Sequence, residues 1–175
     1  MKKIILYIAA SLNGKIARND GSVDWLESIP NQEKTDHGYS AFYESIDTTI
    51  MGSKTYQQIM DWDIPFPYPD KDNYVITRKR VKNTKQVEFI TENHLDYIHN
   101  LKKQSGKDIW LIGGGQINTF LFNAGLIDEI RLFIMPLVIE DGIELFESMP
   151  QQKYLELLET KNYSTGAVEL RYKIK

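Results

Sequence analysis

The stretch Ile109-Trp110-Leu111-Ile112-Gly113-Gly114-Gly115-Gln116, continued by Ile117, Leu121 and Phe122, constrains this chain more than any other. A short continuous apolar run is the mark of a strand covered on both faces of a largely parallel sheet. Three glycines follow at once, and Ile117, Leu121 and Phe122 then share one helical face. Strand, glycine turn and helix together aim free backbone N–H groups and a positive helix end at an anion. A Cβ here would hold a phosphate off the backbone. The same residues also read as a tight turn with close strand–helix packing. Gly-Gly-Gly is not the spaced G-x-G-x-x-G pattern, so it gives no ground for a Rossmann domain.

The rest of the chain arranges itself around this unit. Lys3 to Ala10 reads as a buried central strand, and the turn residues Asn13-Gly14 and Asn19-Asp20-Gly21-Ser22 make 11–24 a polar loop. Tyr39, Phe42, Tyr43 and Ile46 recur at helical steps within a predicted helix over Asn31 to Ser45 that begins before Gly38. Thr48 to Met51 is a second buried strand, closed by Gly52-Ser53-Lys54-Thr55, with Ser53 as predicted N-cap of a helix through Ile59. The loop Asp61 to Asp72 holds three prolines and several aromatics and is placed to wall a cleft. Strands follow at Asn73 to Thr77 and Val87 to Ile90. Asn93 to Gln104 reads as an amphipathic helix with Leu95, Ile98 and Leu101 inward and its lysines outward. The helix after the glycines ends near Ala124-Gly125.

From Glu129 the pattern turns antiparallel. Pro136 bends the segment 130–135 or marks an edge, and 153–175 reads as a hairpin around Ser164-Thr165-Gly166. The fold class is therefore α/β: a mixed, mainly parallel sheet flanked by helices on both faces, with an antiparallel C-terminal hairpin. With 175 residues and no linker or repeat, the chain reads as one domain, 1–175.

A formal net charge of −3 offers no global attraction to nucleic acid or to an anionic membrane, so an anionic ligand must be held locally. There is no cysteine, which removes thiol chemistry and disulfides. The apolar start, Ile4 to Ala10, is short and runs into Ser11-Leu12-Asn13-Gly14-Lys15, which suits a first strand better than a signal peptide. No stretch reaches the ~20 apolar residues that span a bilayer. A soluble, cytoplasmic protein is expected.

Three groups fall at predicted strand ends: Gly52 to Thr55, Thr77 to Arg80 and Gly113 to Gln116. Ligands of open α/β sheets sit outside the carboxyl ends of the strands. Backbone N–H groups suit a diphosphate, and Thr77, Arg78 and Lys79 suit an isolated phosphate monoester, which arginine grips with two parallel bonds. That division describes NADPH more naturally than NADH; a basic run such as Arg78-Lys79-Arg80 also reads as a solvated surface. There is no G-x-S-x-G elbow and no H-E-x-x-H, and no metal site is expected. His37, His94 and His99 are isolated and read as surface residues. Glu27, Glu33 and Asp36 are possible acids or helix-start partners.

Taken in order, Tyr7 to Ala17, Asp20 to Leu26, Ile50 to Tyr56, Val75 to Arg78, Leu111 to Gln116 and Gly125 to Glu129 carry a resemblance over nearly the whole chain. It resembles the dihydrofolate-reductase-like superfamily, and within it the stand-alone proteins similar to the C-terminal reductase domain of bifunctional riboflavin-biosynthesis enzymes. The resemblance implies an NADPH-dependent reductase of a small-molecule substrate. Ala10 and Ile16 would border the nicotinamide, and Trp25 would close the first loop over the cofactor. Gly52, Ser53, Lys54 and Thr55, with Gly113, Gly114, Gly115 and Gln116, would cradle the diphosphate. Thr77 and Arg78 would meet the adenosine phosphate.

Departures concern the substrate. Asn13 stands where relatives often carry aspartate, and no glutamate precedes the glycines where the riboflavin-pathway reductases place one. A proton source is expected from Asp24, Asp36 or ordered water, with Asp24 favoured by its place beside Trp25. The leading function is hydride transfer from NADPH to a small heterocycle, as in 5-amino-6-(5-phosphoribosylamino)uracil reductase or dihydrofolate reductase. The alternative is an NADP-binding regulatory protein without turnover. Ile130 to Ile139 carries more apolar surface than one face of an edge strand can bury. A homodimer is therefore expected, unless that strand is covered on both faces within one chain.

Overall fold

The computed structural model describes all 175 residues. In chain order the elements are β1 (Ile4–Ser11), β2 (Lys15–Ala17), α1 (Asp24–Glu27), α2 (Tyr39–Ser45), β3 (Ile46–Gly52), α3 (Ser53–Met60), β4 (Asp72–Ile76) and β5 (Glu88–Ile90). They continue with α4 (His94–Lys103), β6 (Asp108–Gly113), α5 (Gly115–Asn123), β7 (Glu129–Met135), β8 (Ile143–Glu144), β9 (Leu155–Asn162) and β10 (Val168–Ile174). Eight strands form one sheet in the order β5-β4-β3-β6-β1-β7-β10-β9, parallel through β7 and closed by the antiparallel pair β10 and β9. β2 and β8 make a separate two-stranded ribbon.

Strand alternation explains why the sheet needs helices on both sides. Ile4 and Leu6 of β1, Ile50, Ile109 and Leu111 point to one face, where they pack with Ile98 and Leu101 of α4 and Ile117, Leu121 and Phe122 of α5. Ile5, Met51, Val75 and Trp110 point to the other, against Phe42 of α2 and Ile59 of α3. Each such fully buried side chain contributes roughly 1.5–3 kcal/mol. A third cluster gathers Trp25, Phe133, Met135, Ile139 and Ala167. α5 stops at a left-handed Gly125, whose N–H donates to Phe122 while Leu126 donates to Leu121, the double bond pattern that ends a helix at glycine.

Several expectations need correction. The helix expected from Asn31 starts only at Tyr39, because His37 and Gly38 have φ of 52° and 79° and interrupt any earlier turn. The carboxylate of Asp36 instead accepts the N–H groups of Gly38 and Ser40. Ser53 is the first helical residue of α3; the cap is Gly52. The polar loop 11–24 holds β2 and leads directly into α1. On α4, Leu95 is 37% exposed and Lys102 is buried, its ammonium bonded to Asp128 at 2.5 Å and to the Leu126 carbonyl at 3.0 Å. β7 runs parallel to β1 inside the sheet, so Pro136 follows an interior strand and marks no edge. Ile130 packs on one face of β7 and Phe133 and Met135 on the other. The β7 part of the apolar segment that suggests a dimer is thus packed within one chain, while Val138 beyond it stays exposed. Buried Glu129 accepts bonds from Arg131 at 2.7 Å and Arg171 at 2.6 Å.

No helix is long and apolar enough to cross a membrane.

Candidate functional site

The strand order reverses direction beside β1: the chain leaves β1 for β3, moves outward to β5, and returns through β6 before reaching β7. Such switch points leave a crevice at the strand ends. Here a cleft of about 1400 Å³ opens there.

Two helices begin at its wall. β3 runs through Gly52 into α3, and β6 runs through Gly113 and Gly114 into α5. Neither N-terminus carries a capping side chain, so the first N–H groups of each helix can turn to an external acceptor. Ser53, Lys54, Thr55, Gly115, Gln116 and Ile117 line the cleft. The Thr55 hydroxyl donates to the Gly113 carbonyl at 3.1 Å and ties the two junctions together. Gly114 has φ 104°, and a Cβ there would stand 3.0 Å from the same hydroxyl oxygen. Glycine is required by both the dihedral and the close approach. Two uncapped helix ends at one cleft leave first-turn N–H groups available to an anion.

Thr77 and Arg78, just past β4, line the same cleft. Thr77 is buried, and its hydroxyl accepts the Lys79 N–H at 3.1 Å. Arg80 pairs with Glu92 at 3.4 Å. Arg78, exposed and without a carboxylate partner, is the one of the three basic residues that lines the cleft. His94 also lines it, with Nε2 donating to the Thr77 carbonyl at 3.0 Å and its ring edge-on to Phe120. Sequence reading left His94 on the surface. Its position as the first residue of α4, beside the end of β4, follows from strand pairing that no local pattern reveals.

Part of the cleft wall is aromatic. Tyr7, Tyr39, Tyr68 and Trp110 line it, with Tyr7 stacked on Phe42 at 4.0 Å and the Trp110 indole N–H donating to the Tyr7 carbonyl at 3.0 Å. Burial, then the nearby Glu169 charge, push the Tyr7 hydroxyl well above its ordinary pKa, so it stays protonated. The sequence pattern places Tyr7 and Trp110 in buried strands and Tyr39 on a helix face, whereas Tyr68 belongs to the 61–72 loop expected to wall a cleft. Alternation along β1 and β6 was the available signal, since Tyr7 and Trp110 lie opposite in face to Leu6 and Leu111.

The two carboxylates expected to act as acids are separated. Asp24 lines the cleft, exposed, and accepts bonds from Arg18 Nε at 2.6 Å and the Ser22 hydroxyl at 3.3 Å. The Arg18 bond chiefly holds its carboxyl below the usual range. Asp36 is not among the lining residues; its bonds to Ser40 and Gly38 pull it down to about 2. Ile16 lines the cleft beside Ile8 and Ala9. Ala10, Gly113 and Trp25 stand behind the wall. Gly113 faces Ile8 and Asn118. Trp25 is buried against Phe133, with its indole N–H unpartnered. Asn13 bonds both backbone groups of Ile139, Nδ2 donating at 2.8 Å and Oδ1 accepting at 3.3 Å. An aspartate could not donate, which accounts for the amide at this position.

A family model described as the RibD C-terminal domain matches residues 2–168. Among curated relatives, the uncharacterized protein YwjB of Bacillus subtilis (strain 168) is 37% identical over 172 residues, covering 98% of this chain and 97% of that protein. The uncharacterized protein YyaP of the same organism is 35% identical over 182 residues, covering 98% and 94%. A solved candidate riboflavin biosynthesis protein from Shewanella sp. PV-4 is 27% identical and covers 100% of this chain and 99% of its own, with TM-score 0.87. The deaminase/5-amino-6-(5-phosphoribosylamino)uracil reductase of Thermotoga maritima is 13% identical at TM-score 0.73. It covers 99% of this chain and is itself covered over 57% of its length, so this likeness speaks to the fold alone.

Proposed function

The chain belongs to the RibD C-terminal domain family, and from that premise we propose that it is an NADPH-dependent reductase passing a hydride to a small heterocyclic substrate. The observation that carries the proposal is the convergence of two uncapped helix N-termini, at Gly52 and Gly114, on one cleft that Arg78 also lines. The residues present fit the dinucleotide: the cradle at Gly114 is one a Cβ would fill. Ser53 to Thr55 and Gly114 to Gln116 would hold the diphosphate, and Thr77 and Arg78 the phosphate on the adenosine ribose. Ile8, Ala9 and Ile16 would border the nicotinamide, with Ala10 and Trp25 supporting that wall from behind. When bound, the cofactor supplies the hydride. The chain's residues orient the ring against the substrate and exclude water.

Proton delivery falls to water at the cleft mouth in this reading. Asp24 orders that water as an ionised acceptor, and Asp36 acts through the start of α2. This ionisation favours a second reading, an NADP-binding regulatory protein without turnover. Following NADPH oxidation against dihydrofolate, the phosphoribosylaminouracil and small carbonyls separates the two. Turnover of any member supports the reductase; saturable NADPH binding with no turnover across the panel selects the second reading.

The same proposal treats 1–175 as one cytoplasmic reductase domain and keeps the homodimer, moved to a different surface. β9 ends the sheet with all eight residues exposed, among them Leu155, Leu157 and Leu158. A second copy pairing there would cover an open strand edge. Light scattering over a dilution series, with Leu157→Lys expected to yield a folded monomer, tests this. A wild-type monomer at every concentration refutes it.

A further inference from the structure

We propose that the aromatic end of the cleft takes a planar heteroaromatic ring that carries no phosphate and is neutral or positively charged. The inference rests on the reductase reading and narrows its substrate.

Trp110 is the hub of that end. Its ring centroid lies 5.3 Å from Tyr68, 5.9 Å from Tyr39 and 6.1 Å from Tyr7, and Tyr7 and Tyr39 are 6.5 Å apart. These rings come from four separate parts of the chain: β6, the 61–72 loop, α2 and β1. Trp62 and Ile64 of that loop also line the cleft and are 37% and 57% exposed. Trp110 and Tyr68 are each only 6% exposed and back this end, so a flat ring inserted here would stack on the open faces of Tyr39 and Trp62, each 37% exposed, and cover apolar surface that otherwise meets water.

Charge decides what the ring can carry. The lysine and arginine lining the cleft are Lys54 and Arg78. Both sit at the strand-end junctions assigned to the dinucleotide, Lys54 in the first turn of α3 and Arg78 just past β4. The third basic lining residue, His94, is tied to the Thr77 carbonyl at the same junction. Around the remainder of the cleft, α1 contributes Asp24 and Glu27, and Asp61 follows α3. Arg131 lies 5.4 Å from the Phe42 ring but is not among the lining residues, and Glu129 holds it at 2.7 Å. Arg18 is paired with Asp24.

Lys71, whose ammonium stands 4.1 Å from the Tyr43 ring, does not line the cleft and is paired with Asp70 at 3.0 Å. A substrate phosphate at this end would therefore give up its hydration with no lining lysine or arginine to replace it, which disfavours binding. A protonated ring meets the reverse situation, because tyrosine and tryptophan faces and the acidic rim both attract it. The cleft thereby separates its two ligands by charge: phosphates at the helix ends, an unphosphorylated ring among the aromatics.

The test is titration of the full-length protein, with and without NADPH, followed by quenching of tryptophan fluorescence. The probes are 5-amino-6-(ribosylamino)uracil, its 5′-phosphate, and 2,4-diaminopteridine as a planar ring that becomes a cation on protonation. The unphosphorylated ribosylaminouracil is expected to bind at least about tenfold more tightly than its phosphate, and the pteridine at least as tightly as the former. Tyr39→Leu, at a ring exposed enough for the fold to persist, is expected to weaken ring binding by about tenfold. NADPH affinity, read from the cofactor's own fluorescence, is expected to be unchanged in that variant. Equal or tighter binding of the phosphate, or quenching by none of the rings, overturns the proposal. Failure of NADPH to bind removes the reductase reading separately, since the ring series is also read without cofactor.

Discussion

Replacing Gly114 by alanine isolates what the glycine turn contributes. At φ 104° an L-residue is strained, at about 1–3 kcal/mol for such backbone positions. The new Cβ would also stand 3.0 Å from Thr55 Oγ1 and 3.5 Å from Ile117 Cγ2. Thr55 cannot swing aside freely, because its hydroxyl donates to the Gly113 carbonyl; losing that bond costs about 1 kcal/mol. Together these give about 2–4 kcal/mol. For a chain of this length each kcal/mol moves Tm by about 2–4 °C, so a loss of about 4–16 °C is expected in a calorimetric melt. Gly14→Ala is the control: Gly14 also has positive φ, 78°, but its added Cβ meets nothing within 4 Å. It should lose only the strain. Because the turn also aims the N–H groups of α5, Gly114→Ala is expected to weaken NADPH by at least about tenfold. A variant melting within a degree of wild type, or no less stable than Gly14→Ala, would refute the reasoning.

Other expectations follow from the same geometry. Arg78→Ala should weaken NADPH by about 1.5–3 kcal/mol, nearer the lower bound because the side chain is exposed; NADH affinity should hardly move, and equal losses measured by titration would assign Arg78 a structural role. Glu129→Gln should destabilise by about 3 kcal/mol, the lower end for breaking a buried pair whose partners keep some contact with water. Burial alone would raise the Glu129 pKa, but the bonds from Arg171 and Arg131 outweigh it and hold the folded value below the usual one. Its contribution is therefore fully present above the unfolded pKa and lost as pH falls through the depressed folded value. Urea melts at pH 7 and pH 3 should show the wild type losing its advantage over Glu129→Gln in acid, and a pH-independent gap would contradict the assignment.

What the sequence made legible was local. The strand–glycine–helix unit at 109–122 and the glycine stop at Gly125 depend on neighbouring residues, and both stand as read. So do the three strand-end groups, because a buried strand followed by glycine or a basic residue must put those residues at its carboxyl end. The misread parts depended on distant partners. Lys102 was placed outward by helical periodicity, but Asp128 and the Leu126 carbonyl draw it inside. β7 looked like an edge because nothing local announces that β10 will pair along it. Asp36 reads from sequence either as an acid or as a helix-start partner, and only the left-handed turn at His37 and Gly38 shows which N–H groups it accepts. Gly113, Ala10 and Trp25 do not line the cleft although their chain neighbours do, since adjacent residues on a strand or turn face opposite ways.

The central claim is that the two glycine–helix junctions form a dinucleotide seat, and thermal melting with NADPH tests it most directly. A ligand at about 100 times its Kd stabilises by about 2.7 kcal/mol, or about 5–11 °C in Tm here. The account expects that shift with NADPH, a smaller one with NADH at the same concentration, and a reduced one in Gly114→Ala measured from its own baseline. A midpoint unmoved by saturating NADPH would contradict it.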